Sequence, residues 1–131
     1  MSDLFTATWM EKFQNEWNGE KELAEALGKI GFNSVIGYGY PEDEAPRGVI
    51  HVENGKVVKA GAYDGEDLNW DLRASPDQWQ HWMQKGPGMT GLGLAFTTGK
   101  LKFKKGDYSA MVKDPRMAGP FVKSFDVMSR I

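Results

Sequence analysis

Apolar positions in this chain recur every three to four residues, then every two, then every three to four again, and these changes of period set out its elements. Trp9, Phe13 and Trp17 stand four apart with Met10 beside them, which makes one stripe of an amphipathic helix. Thr8-Trp9-Met10-Glu11 reads as a capping box at its start, and the helix is expected to run to Asn18, where Gly19 interrupts it. Glu20 to Ile30 follows as a second helix, with Leu23, Leu27 and Ile30 inward and Gly31 as its left-handed stop. The aromatic stripe is expected to be core.

From Asn33 to Ala74 the period is two, and strands are predicted at 33–40, 47–53, 56–63 and 67–74. Asn54-Gly55 is a hairpin signal, because both residues tolerate the positive φ of a two-residue turn. Short connections favour antiparallel pairing. In the last of these strands Leu68, Trp70, Leu72 and Ala74 share one face, and Asn69, Asp71 and Arg73 share the other. One face should therefore be wet and the other covered by helices. Gly37, Gly39, Ala60, Gly61 and Ala62 are small where bulk is normal, which either lets a helix approach closely or leaves room for a ligand.

Ser75-Pro76-Asp77-Gln78 starts a third helix that ends near Gly86 and turns Trp79, Trp82 and Met83 inward. Gly86 to Leu94 is glycine-rich and reads as a mobile rim leading into a short turn over Leu92–Thr98. A final strand follows Gly99, and Gly106-Asp107 opens another amphipathic helix. Met117, Phe121, Phe125 and Met128 form one helical stripe, but Pro120 lacks an amide and disfavours helix at Gly119. The expectation is a turn after Asp114-Pro115 and a helix from Pro120, with 114–131 acting as an amphipathic lid. Together these elements predict an α/β (α+β) fold: a single domain over 1–131, with a five-stranded, mainly antiparallel sheet and helices on one face.

A length of 131 residues suits one compact core. No cysteine is present, which excludes disulfides, thiol nucleophiles and thiolate metal sites. No run approaches the roughly 18 to 20 apolar residues of a membrane span, and the N-terminus has no basic-then-apolar leader, so a cytoplasmic location is expected. The net charge of −2 conceals a division: residues 1–98 carry 8 basic and 15 acidic side chains, and 99–131 carry 8 basic and 3 acidic. That division orients the chain toward an anionic membrane surface or an acidic protein partner, whereas nucleic acid is not an expected partner. A purely structural reading also accounts for it, because Lys102 and Lys104 alternate with Leu101 and Phe103 as the solvent side of a strand does.

Candidate chemistry is sparse. Gly86-x-Gly88-x-x-Gly91 matches a dinucleotide fingerprint in form, but it follows a predicted helix and lies outside any βαβ unit. His51 and His81 fall on different elements without metal-ligand spacing. Glu42-Asp43-Glu44 lacks calcium-loop spacing, and no Gly-x-Ser-x-Gly elbow occurs. No catalytic group, metal or cofactor is therefore assigned, and the chain is not expected to be an enzyme.

The run Ala95-Phe96-Thr97-Thr98-Gly99-Lys100-Leu101-Lys102-Phe103-Lys104-Lys105-Gly106-Asp107-Tyr108, with the Met- and Phe-rich tail after it, resembles the C-terminal signature of the sterol carrier protein-2 (SCP-2) domain family. The order of elements over 33–113 is similar to that family's order, while the tail from Asp114, with prolines at 115 and 120, departs from its plainest pattern. The resemblance implies a tunnel between the sheet and the C-terminal helices, and reversible binding and carriage of lipid, fatty acyl or sterol-like ligands. Walls are then expected from Trp70, Leu72, Trp82, Met83, Met89, Leu94, Phe96, Phe103, Met111, Phe121 and Phe125. The alternative is an accessory protein that presents an apolar substrate to a partner enzyme or docks on one, its cavity filled by its own Trp and Met side chains.

Overall fold

The computed structural model describes residues 4–131, apart from the side chain of Val112. Helix α1 spans Ala7–Gly19 and buries Trp9, Met10, Phe13 and Trp17, the stripe that the four-residue spacing predicts. Its cap is Thr6, whose Oγ1 accepts from the Trp9 amide at 3.2 Å, so the cap lies two residues before the capping box expected at Thr8, which falls inside the helix. A π turn over Lys21–Glu25 runs into α2, Ala26–Lys29, and Gly31 has the left-handed φ of 61° expected of a stop.

Strands β1 (Ser34–Gly39), β2 (Gly48–Glu53), β3 (Lys56–Ala62), β4 (Trp70–Arg73) and β5 (Lys102–Lys105) form one sheet in the order β3-β2-β1-β4-β5. Among the described residues only β1 and β4 pair in parallel, so the mainly antiparallel α+β sheet is as expected. Asn54 and Gly55, at φ 50° and 83°, make the β2–β3 turn. β3 is an edge strand, and α1 covers that edge: Asn18 exchanges two hydrogen bonds with the Val57 amide and carbonyl, and Gln14 donates to the same carbonyl.

The inner face carries Ile36, Tyr38, Ile50, Val52 and Leu72 into the core. The outer face of β1 and β4 is not wet as predicted. Asp71 and Arg73 are buried there, because the 40–47 loop folds across them and the Arg73 guanidinium donates to the carbonyls of Tyr40 and Asp43 at 3.0 and 2.7 Å. The small residues of β1 have the same cause: a Cβ on Gly37 or Gly39 would press on Pro46 of that loop. Leu68 also packs over Gly37, so it leaves the face shared by Trp70 and Leu72.

Helix α3 (Pro76–Gln84) is capped by Ser75 as read. The glycine-rich stretch is not a rim with a short turn but a ten-residue helix, α4 (Gly88–Thr97), which buries Leu92 and Ala95. Asp107 caps α5 (Tyr108–Lys113). Helix α6 then runs unbroken from Pro115 to Met128, so the expected break at Pro120 does not occur. Asp114 accepts from the Arg116 amide at 2.9 Å and fixes the start, Pro115 fits the first turn, and burial of Pro120 and Phe125 offsets the one backbone bond that Pro120 cannot make. α6 packs against α1, α2, α3, α4 and α5, which makes it the cover of the inner face.

Candidate functional site

Between the inner face of β1 and β4 and the underside of α6 lies an apolar cavity of about 40 Å³. The sheet supplies Ile36, Tyr38, Trp70 and Leu72, because alternate residues of paired strands point the same way. Trp17, Leu23, Leu27 and Phe32 close one side, and Met111, Met117, Pro120, Phe121 and Ser124 close the other. Polar atoms in this wall are few, and those of Ser124 and Trp17 are committed. Ser124 donates its hydroxyl to the Phe121 carbonyl at 2.6 Å, and the Trp17 indole donates to the Gly55 carbonyl at 2.8 Å. Burial alone drives the Tyr38 phenol well above its ordinary range, so it stays neutral at any ordinary pH. A site built this way takes apolar matter and offers little to charge.

Trp70, Leu72, Met111 and Phe121, named from the sequence, come together in this wall. Phe103 stands next to it, its ring 5.8 Å from that of Trp70 and 6.1 Å from that of Phe121. Phe125 and Trp82 pack on each other at 5.3 Å within the core, and Met83 is partly buried against that core, outside the cavity wall. Met89, Leu94 and Phe96 are exposed on α4, away from the cavity. Their expected place rested on a rim beside the pocket, and the helix that replaces the rim turns only Leu92 and Ala95 inward. Reasoning from sequence passed over Trp17, Leu23, Leu27, Phe32, Ile36, Tyr38, Met117, Pro120 and Ser124. The signal for several was present, since the stripes of the first two helices face the same space as the small-residue strand β1.

Among the described residues the other polar groups stand apart from this wall. His51 Nε2 lies 3.0 Å from Glu66 Oε2 on the outer side, and His81 is exposed on α3. Among the described residues no three His, Asp or Glu side chains gather as a metal site would require, and no helix is long and apolar enough to cross a membrane.

A five-stranded sheet of this order, covered by a late helix over an apolar cavity, is the architecture of the sterol carrier protein-2 fold, and this chain has that fold. A crystal structure of sterol carrier protein 2 superposes with a TM-score of 0.77 over 98% of this chain and 99% of its own, at 19% identity. The UbiJ-SCP2 ubiquinone synthesis protein gives 0.61 over 100% and 98%, at 13% identity. The apo form of sterol carrier protein 2 from Yarrowia lipolytica gives 0.53 over 100% and 98%, at 18% identity. No protein-family model matches the sequence, and no curated protein sequence matches it.

Proposed function

We propose that this chain binds an elongated apolar molecule, a lipid, fatty acyl chain or sterol-like compound, between β1/β4 and α6, and carries it within the cytoplasm. The observation that carries the reading is the apolar cavity under α6, in the fold of proteins named as sterol carriers. At about 40 Å³ the cavity holds little more than a water or two, so a ligand enters by displacing its cover. The segment 114–131 suits that role as a lid. Pro120 leaves a gap in the α6 backbone ladder, and two ion pairs fasten the helix to the turn before α2: Lys123 to Glu22 at 3.1 Å and Arg130 to Glu20 at 2.9 Å. Affinity comes from apolar burial, at about 25 cal/mol per Å² removed from water.

The test is titration of delipidated protein with fluorescent fatty acid and fluorescent sterol, followed by native mass spectrometry. Saturable binding of one ligand per chain is expected, and Ile36→Trp, which fills the cavity from the sheet side, should weaken it at least about tenfold by removing the apolar space. Absence of saturable binding for every probe overturns the reading.

The small cavity also favours a second reading, in which the chain presents an apolar substrate to a partner enzyme or docks on one. A structural neighbour titled as a ubiquinone synthesis protein points the same way. Affinity purification at native expression level, with an enzyme of apolar-substrate chemistry recovered in fixed ratio, supports this second reading, and recovery of the chain alone counts against it.

A further inference from the structure

Tyr38 stands on the inner face of β1, in register with Leu72 of β4, and both line the cavity under α6. Its ring is held on its sides by Phe5, stacked at 5.8 Å, and by Phe13 and Trp79, edge-on at 5.7 and 6.1 Å. None of those three rings lines the cavity, so the part of Tyr38 that reaches the space is the end they leave uncovered, which carries the hydroxyl. That hydroxyl has no hydrogen-bond partner among the described residues. It is not sealed in protein as the unpartnered Ser34 hydroxyl is, yet Tyr38 is only 2% exposed, so the space it opens on is the cavity and not bulk water.

A buried polar group without a partner is costly, and folded proteins keep few of them. The other donors in the wall are committed, the Trp17 indole to the Gly55 carbonyl and the Ser124 hydroxyl to the Phe121 carbonyl. Tyr38 therefore presents one unused donor to a space that no Lys, Arg, His, Asp or Glu lines. A carboxylate brought to it would lose its hydration and gain no counter-charge. A ligand hydroxyl would bring a proton that needs an acceptor of its own, whereas a carbonyl oxygen asks for a donor alone.

We infer that Tyr38 selects among apolar ligands by their head groups: its hydroxyl donates to the carbonyl oxygen of a neutral ketone, quinone or ester bound with that oxygen inward, while a fatty acid lies with its carboxylate outside and does not use Tyr38. The inference rests on the ligand-binding reading of this cavity and adds to it the chemistry and the direction of the bound molecule.

The test titrates the delipidated full chain with methyl pentadecyl ketone and with hexadecanoic acid, at a pH where the acid is ionised. The two carry the same alkyl chain on different heads, and each is measured by displacement of a fluorescent fatty acid. Tyr38→Phe keeps the ring and its packing and removes the hydroxyl alone. The ratio of ketone to acid affinity should fall about five- to tenfold in the variant, as loss of one neutral hydrogen bond predicts. The unfolding midpoint of the ligand-free variant should not fall, because no hydrogen bond within the fold is removed. In the infrared, an isotope-labelled ketone carbonyl should absorb at lower wavenumber when bound to wild type than in hexane or when bound to the variant.

An unchanged affinity ratio overturns the inference, and so does a bound carbonyl that absorbs in wild type where it does in hexane. A ligand-free variant that is less stable than wild type, or does not fold, also overturns it, because the hydroxyl then has a partner inside the protein. Binding of both probes with an unchanged ratio defeats this inference alone, whereas binding of neither defeats the cavity reading with it.

Discussion

Arg73 and Asp71, two positions apart on β4, form an ion pair on the outer face of the sheet, with Arg73 Nε 2.6 Å from Asp71 Oδ1 and Arg73 Nη2 3.0 Å from Asp71 Oδ2. Both side chains are buried, and the remaining guanidinium nitrogen holds the 40–47 loop by its carbonyls. The pair acts as a clamp between sheet and loop.

Removing one partner strands the other. Asp71→Ala leaves a buried guanidinium without its carboxylate, and the expected destabilisation is about 3–5 kcal/mol. Urea unfolding of wild type and variant measures it through the shift in midpoint at constant slope. A loss below about 1 kcal/mol would mean the clamp contributes nothing beyond an exposed pair.

Gly55 and Gly65 provide a paired test of backbone approach. Both have left-handed φ, 83° and 87°, so alanine at either position carries a strain of about 1–2 kcal/mol. They differ in surroundings: a Cβ on Gly55 would overlap the Ala24 carbonyl and the Gly28 amide, whereas Gly65 has nothing within 4 Å. Gly55 also accepts the buried Trp17 indole hydrogen bond. Gly65→Ala is expected to cost only the strain, and Gly55→Ala more than about 3 kcal/mol, because rigid backbone must also move. Equal shifts in thermal midpoint would show that the contact of the hairpin turn with the π turn and α2 is not tight.

The same Asn54-Gly55 turn shows which features local pattern exposes. A two-residue turn with positive φ at both positions is written in residue types alone, as are the Ser75 and Asp107 caps and the stripes of α1 and α6. What local pattern misses depends on distant segments. Asp71 and Arg73 alternate like solvent-facing residues, and only the loop thirty positions earlier makes them buried. α4 carries three glycines, which lowers its intrinsic helicity, yet packing of Leu92 and Ala95 holds it. That error also misplaced Met89, Leu94 and Phe96 relative to the cavity. Pro120 reads as a breaker locally, although the helix around it is held by its neighbours.

Acid should loosen the outer face. Desolvation pushes the Glu66 carboxyl up, but the hydrogen bonds from His51 and from the Asp64 amide outweigh it and leave the group below the ordinary glutamate range. A carboxyl whose folded value is depressed adds stability above its unfolded value, about 4.3, and that stability is lost as pH falls through the lower, folded value. Urea midpoints measured from about pH 6 down to pH 3 should therefore fall more steeply in wild type than in Glu66→Gln. Parallel curves would mean that Glu66 takes no part in acid sensitivity.

Phe121 offers the most direct link between packing and the proposed cavity. Its ring lines the space under α6 and touches Phe103 at 6.1 Å and Phe125 at 5.3 Å, so it is both wall and core. Truncation to alanine removes apolar burial and leaves a void, and because the ring is only half-buried the expected cost is about 2–3 kcal/mol, below the range for fully buried phenylalanine. A merely structural cavity would give that loss and nothing more. A ligand site behaves differently: the enlarged space admits more acyl chain, and a molecule that binds only the folded state raises the thermal midpoint with its concentration. Saturating fatty acid should thus recover part of the stability lost in Phe121→Ala, with a larger upward shift than in wild type. Ile36→Trp, which fills the space from the opposite wall, should show little shift at the same concentration. If all three proteins respond alike to fatty acid, the ligand does not occupy this cavity, and the space under α6 is packing alone.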